Sequence, residues 1–179
     1  MATVSTRRDL AVKVALLIAV AGFLAAFLWN ADQEPPVAGR PMPDFTLPAQ
    51  GGGNVSLDDY KGKILVLNFW ATWCGPCVDE VPSLDQFART FQGKGVEVLA
   101  VSVDDDDKAY NDFLKAHPVS MHLARDRDKR TSINYGTFKY PETYIAGRDG
   151  RLLRKIVGPA DWMDDRVVGQ FQEWIKEGK

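Results

Sequence analysis

The 179-residue sequence contains two cysteines, Cys74 and Cys77, separated by Gly75 and Pro76. Two thiols complete a structural zinc site only if histidine joins them, and the two histidines, His117 and His122, stand some 40 residues downstream. As a staple the pair is weak, because a bridge closing four residues stabilises by only about 2 kcal/mol on loop entropy. Its setting suits reversible chemistry better. The apolar run Ile64–Trp70 reads as a buried strand, and the pair follows it at the start of a helix expected over Gly75 to about Phe91. Cys74 then lies at a helix N-terminus, where unpaired N–H groups and the dipole favour a thiolate. Pro76 suits that first turn, since its missing N–H is no loss there. Two intervening residues let both sulfurs meet across the turn. Lowering the Cys74 pKa towards neutrality raises its thiolate fraction at pH 7 from about 3% to about 50%. Intrinsic nucleophilicity falls at the same time, so attack gains only about threefold. The larger benefit comes when Cys74 leaves a mixed disulfide, with Cys77 as the resolving thiol. The other readings are an inert buried pair, or half of a copper or zinc site.

Glu80 stands three residues beyond Cys77, on the same helix face. Read alone, it is a solvated acid of a first helical turn, favourable to the dipole. Pro82 removes a backbone donor and is expected to kink the helix. Asp104–Asp107 read as a solvated, helix-capping loop rather than a cation site. His117 and His122 lack ligand partners at useful spacing, so no metal is expected. Trp70 and Trp73 are expected to pack beside the thiols rather than hold a cofactor. Neither a G-x-G-x-x-G nor a P-loop is present, which leaves nucleotide use without support and no cofactor expected.

The elements around these residues follow from periodicity. Phe45–Leu47 and Val55–Leu57 flank the turn Gly51–Asn54 and read as a hairpin. Val96–Val103 reads as a second buried strand and Asp107–His117 as a helix. Glu142–Ala146 and Leu152–Val157 read as strands around the turn Gly147–Gly150. Asp161–Lys176 closes the chain as an amphipathic helix with Trp162, Val167, Val168, Phe171, Trp174 and Ile175 on its apolar stripe. Strands alternating with helices imply an α/β architecture.

Hydrophobic residues at 45% and charged residues at 26% exclude global disorder. The net charge is −2, and the three cations and one acid of residues 1–29 leave the remainder at −4. Such a domain has no electrostatic footprint for nucleic acid, and none is expected as a partner. Val14–Trp29 contains no polar residue, and a span over residues 10–29 is about 30 Å long as a helix, one hydrocarbon thickness. Arg7, Arg8 and Lys13 precede it while Asp32 and Glu34 follow, which keeps the N-terminus cytoplasmic. The alternatives are a cleaved signal peptide, disfavoured by the poor cleavage site Trp29-Asn30-Ala31, and a buried core helix. The expected organisation is a cytoplasmic N-terminus (1–9), a transmembrane anchor (10–29), a Pro-rich linker (30–43) and a globular domain (44–177).

The run Asn68-Phe69-Trp70-Ala71-Thr72-Trp73-Cys74-Gly75-Pro76-Cys77, followed by Glu80 and Pro82, resembles the TlpA/ResA-like thiol-disulfide oxidoreductases. These are membrane-anchored thioredoxin-fold proteins of the alkyl hydroperoxide reductase/thiol-specific antioxidant superfamily. The resemblance runs from about Gly39 to the C-terminus. It implies a thioredoxin fold with an added N-terminal β-hairpin and a central insertion, for which Asp104–Arg127 is the candidate. It implies a redox-active Cys74–Cys77 disulfide. It also implies that Pro141, within Tyr140-Pro141-Glu142-Thr143-Tyr144, is the cis-proline facing the redox pair in thioredoxin folds. The backbone of Tyr140 would then be free to pair with an extended substrate. Without the resemblance, Pro141 reads as a trans turn proline. Pro141-Glu142-Thr143 further resembles reductases serving cytochrome c maturation, the CcmG/DsbE branch. Trp73, Tyr140, Pro141 and Glu142 are accordingly the expected substrate-binding residues.

Ordinary thioredoxins carry a buried Asp on the central strand to take the second cysteine's proton. Asn68 occupies that place here and cannot ionise. The resemblance passes the role to Glu80, which needs partial burial to raise its pKa. The implied function is a bacterial extracytoplasmic reductase of protein disulfides on a single-pass anchor in the cytoplasmic (inner) membrane, with its catalytic domain on the periplasmic side. The haem-site cysteines of apocytochrome c are the leading substrate, and a membrane thiol electron donor of the DsbD/CcdA type is the implied partner. One rival is a peroxiredoxin-like peroxidase, which needs a Pro-x-x-x-Thr-x-x-Cys context that Val66 to Cys74 does not offer. The other is a copper(I) chaperone using the two thiols as soft ligands.

Overall fold

The computed structural model describes residues 12–25 and 36–179. The chain divides into two compact units, Met1–Glu34 and Pro35–Lys179. Of the first, residues 12–25 are helical (α1), with exposed apolar side chains that include Leu16, Leu17, Ile18 and Phe23. Among the described residues no helix is long and apolar enough to cross a membrane. The rest of the expected anchor, residues 10–11 and 26–29, lies outside the described residues, as does all of the expected cytoplasmic N-terminus.

The second unit is a five-stranded sheet of order β5-β4-β3-β6-β7, with a two-stranded hairpin β1-β2 beside it. Its central strand β3 (Ile64–Trp70) is buried at every position, because neighbouring strands flank it on both sides and elements pack on both faces. β4 (Val96–Ser102) lies parallel to β3, and β5 (His122–Arg125) lies parallel to β4. β6 (Glu142–Ala146) is antiparallel to β3, and β7 (Leu152–Val157) is antiparallel to β6. Between β3 and β4 runs helix α2 (Gly75–Phe91), between β4 and β5 runs α3 (Asp107–Ala116), and between β5 and β6 runs the short α4 (Arg130–Asn134). Helix α5 (Asp165–Glu177) ends the fold. Phe87 and Phe91 of α2 stack with Phe171 of α5 over one face of the sheet. On the other face Phe69, Tyr135 and Tyr144 form an aromatic cluster with Phe45.

Several boundaries differ from the expected ones for identifiable reasons. The hairpin is β1 (Thr46–Pro48) with β2 (Asn54–Ser56), and Leu57 instead opens a 3-10 turn, Leu57–Tyr60. Its turn places Gly51, Gly52 and Gly53 at positive φ, which glycine alone adopts at no steric cost. The hairpin covers the outer edge of β5 through the Gln50 N–H, which donates to the Leu123 carbonyl at 2.9 Å, so that edge is not left open. Residues 39–43 are not spacer: Gly39 and Met42 donate to Leu152 and Gly150, and Met42 is buried. The segment 104–127 supplies both α3 and β5, lengthening the path between Cys77 and Pro141. Strand β5 and helix α4 went unseen in the sequence because each is only a turn or so long. Helix α2 runs unbroken across Pro82, which sits on its exposed side, where water can reach the carbonyl left without a donor.

Candidate active site

The chain leaves β3 through Ala71 and Thr72 and enters α2 at Cys74, the helix N-cap. Cys74 and Cys77 are disulfide-bonded, with Cα atoms 5.2 Å apart. The Cys77 N–H donates to the Cys74 carbonyl at 3.0 Å and also reaches Cys74 Sγ at 3.3 Å, so the N-terminal turn of the helix directs a backbone donor at that sulfur. Both cysteines are buried, Cys77 more deeply, while Gly75 and Pro76 are exposed. Cys74 is therefore the sulfur nearer the surface.

One helical turn beyond Cys77, Glu80 turns inward and is 5% exposed. Its carboxylate meets three donors from three parts of the chain. Asn68 Nδ2 of β3 donates to Oε1 at 3.1 Å, and Trp162 Nε1 donates to the same oxygen at 2.7 Å. The Ala160 N–H donates to Oε2 at 3.1 Å. Burial pushes the Glu80 pKa up to about 7, and the three hydrogen bonds hold it back from rising further. Asn68 is fixed in turn by its neighbour across the sheet, donating to Thr143 Oγ1 at 2.9 Å. The solvated first-turn reading of Glu80 is thus replaced by a buried, pre-arranged carboxylate.

The peptide bond Tyr140–Pro141 is cis. Tyr140 is half-buried, and its ring meets Trp73 edge-to-face at 5.8 Å, bringing two of the expected substrate-binding residues together. Trp73 is 60% exposed, so it forms part of the surface beside the disulfide rather than packing beneath it. Trp70 packs inside, against Phe113 and Tyr110. Glu142 is placed elsewhere. Its side chain is fully buried on the opposite face of the sheet from Glu80, where Oε2 accepts from Tyr144 and pairs with Lys155 at 3.2 Å. Its side chain is not presented to an incoming peptide.

Two residues of the site escaped the sequence reading. Asp104, taken there for part of a solvated loop, is buried and accepts from the Thr72 N–H at 3.1 Å, Thr72 Oγ1 at 2.7 Å and Ser102 Oγ at 2.7 Å. It ties the segment entering Cys74 to the end of β4. Only Asp106 of that acidic run caps α3, accepting from Lys108 and Ala109. Trp162 belongs not to the stripe of α5 but to the turn before it, since Asp164 is the residue that caps the helix. No local pattern marks either role, because each depends on a distant partner, Thr72 for Asp104 and Glu80 for Trp162. Among the described residues no group of three or more His, Cys, Asp and Glu side chains could hold a metal ion.

Comparison with known proteins agrees with this arrangement. The AhpC/TSA family profile matches residues 38–155. Thiol-disulfide oxidoreductase ResA of Bacillus anthracis is 30% identical over 168 residues, covering 92% of this chain and 94% of that protein. ResA of Bacillus subtilis (strain 168) is 28% identical over 176 residues, 97% of each chain. Among solved structures, one from Chlorobium tepidum described as thiol:disulfide interchange protein DsbE superposes with a TM-score of 0.73 at 31% identity, covering 78% of this chain and 99% of that one. The fold, the bonded Cys74–Cys77 pair after β3 and these similarities together place the chain in the AhpC/TSA family of the thioredoxin superfamily.

Proposed function

We propose that the protein is a thiol-disulfide oxidoreductase that reduces protein disulfides outside the cytoplasm, tethered by its N-terminal segment. The observation that carries this reading is the buried carboxylate of Glu80, one helical turn behind a disulfide at a helix N-terminus. In the reduced protein the Cys74 thiolate attacks one sulfur of a client disulfide and expels the other as a thiolate. The Cys77 thiol gives its proton to Glu80 and attacks Cys74 Sγ. The Cys74–Cys77 disulfide forms, and the second client sulfur leaves as a thiolate. The client gains two electrons, which a membrane dithiol donor of the DsbD/CcdA type restores to the pair. Trp73 and the backbone of Tyr140 hold the client strand across the disulfide. The Gly-Pro between the cysteines supports the reducing direction, and the resemblance of Pro141-Glu142-Thr143 to reductases serving cytochrome c maturation supports apocytochrome c haem-site cysteines as clients. The cationic flank before Val14 and the acidic flank after Trp29 support the anchor and its orientation.

The test is to mix the full-length reduced protein with a peptide carrying an oxidised Cys-x-x-Cys-His segment. Wild type is expected to reduce the peptide stoichiometrically. Cys77→Ser is expected to accumulate a Cys74–peptide mixed disulfide, and Cys74→Ser to form none. Peroxide turnover with the peptide left oxidised would overturn the reading in favour of a peroxidase. Tight stoichiometric copper(I) binding without disulfide reduction would overturn it in favour of a metal carrier.

A further inference from the structure

Trp162 stands 82 residues beyond Glu80 in the chain, yet its indole N–H makes the shortest hydrogen bond to that carboxylate, 2.7 Å. The residue is fully buried. Phe87 of α2 packs edge-to-face on its ring at 5.5 Å, fixing the direction in which the N–H points. Its own backbone N–H is engaged by Ser83 Oγ at 3.4 Å, and Ser83 Oγ donates in turn to the Glu80 carbonyl at 3.0 Å. The same turn supplies the Ala160 N–H to the other carboxylate oxygen. Ala160 also lines a surface cavity of about 360 Å³ with Arg154, Asp161 and Arg166, so this turn borders both Glu80 and a solvent-accessible hollow.

We propose that Trp162 is a positioning residue of the redox reaction: its indole N–H holds the Glu80 carboxylate ionised and oriented to take the Cys77 proton. The proposal rests on Glu80 being that proton acceptor. A buried carboxylate facing only apolar groups would keep its proton at neutral pH and could accept none. The groups that face Glu80 are Asn68 from β3 with Thr143 of β6 behind it, Cys77 one turn earlier on α2, and Ala160 and Trp162 from the turn before α5. None of these titrates while the Cys74–Cys77 disulfide is closed, so the oxidised protein isolates the Glu80 titration. Asp161, the acid of that turn, accepts from the Met163 N–H and is exposed. The ionised state therefore depends on neutral donors, and Trp162 is the nearest of them.

The experiment is a pH titration of the full-length oxidised protein by NMR. It follows the Glu80 carboxyl carbon and the Trp162 indole N–H, both assigned by through-bond correlations in the wild-type protein. The indole resonance is expected to move with the same midpoint as the carboxyl carbon. Trp162→Phe is expected to raise that midpoint by about one pH unit, the loss of one hydrogen bond to a charged acceptor. The midpoint for resolving the mixed disulfide should rise equally, and in a Glu80→Gln background the substitution should leave the pH dependence unchanged. An indole resonance flat through the Glu80 titration overturns the proposal, and this arm needs no folded variant. An unshifted midpoint in Trp162→Phe overturns it as well. If the two groups titrate together while Glu80→Gln resolves the mixed disulfide at the wild-type rate, the hold on Glu80 stands and its role as proton acceptor fails.

Discussion

At Glu80 two effects oppose each other: burial favours the protonated carboxyl, and three donors favour the carboxylate. The balance near 7 leaves about half of the molecules able to accept a proton at neutral pH, which suits a general base. Glu80→Gln keeps the shape and the acceptor oxygen but removes the titration. It is expected to slow resolution of the mixed disulfide by about 100-fold at pH 7. It should also abolish the rise in that rate between pH 6 and 8, as rapid-quench trapping would show. Cys74 and Cys77 were legible in the sequence because their spacing and setting are local, whereas Glu80 read alone was a solvated acid and only the family resemblance pointed to its burial. Trp162 and Asp104 were not. A tryptophan before an amphipathic helix and an aspartate in an acidic run look like stripe and surface until the fold brings their partners to them.

The element that presents the disulfide is the segment Ala71–Cys74, and Asp104 at the end of β4 latches it. Asp104→Ala would strand the half-buried Thr72 N–H and two hydroxyls, and is expected to cost about 2 kcal/mol in denaturant unfolding. Asp104→Asn, which can still accept from Thr72, should recover much of that loss. An unchanged unfolding midpoint in the alanine variant would show that the latch contributes nothing. A second tie of this kind joins α2 to the approach to β5, where buried Asp85 accepts from the Ser120 N–H at 2.6 Å and the Met121 N–H at 3.2 Å. Long apolar or strongly periodic elements were readable: Ile64–Trp70, Gly75–Phe91 and Glu142–Ala146 fall where expected. The beginning of α5 was misplaced because Asp161 and Asp164 both resemble a helix cap, and only the bond from the Arg166 N–H to Asp164 chooses between them. The Pro-rich stretch suggested a spacer as far as residue 43, but pairing of residues 39–42 with 150–152 is invisible to composition.

For the whole molecule, Glu80 couples stability to pH. Its carboxyl binds a proton more tightly in the folded chain, with a pKa of about 7 against the ordinary 4.5. Stability is therefore full below about 4.5, falls as pH rises towards 7, and levels off above, by at most about 3 kcal/mol. Glu80→Gln should flatten that slope in denaturant titrations at pH 4.5, 6 and 8, and an equal slope in both proteins would contradict the burial of this charge. A disulfide at a helix N-terminus with a buried carboxylate one turn behind it suits a protein that trades electrons with other proteins, and the direction of that trade is the central claim. The reduction potential of the Cys74–Cys77 couple in the full-length protein, measured by equilibration with defined thiol–disulfide buffers, tests it most directly. A value near or below about −270 mV is the predicted result, that of a reductase fed by a membrane dithiol. A value near −120 mV, roughly that of the strong oxidants, would contradict it and make the protein a source of disulfides instead.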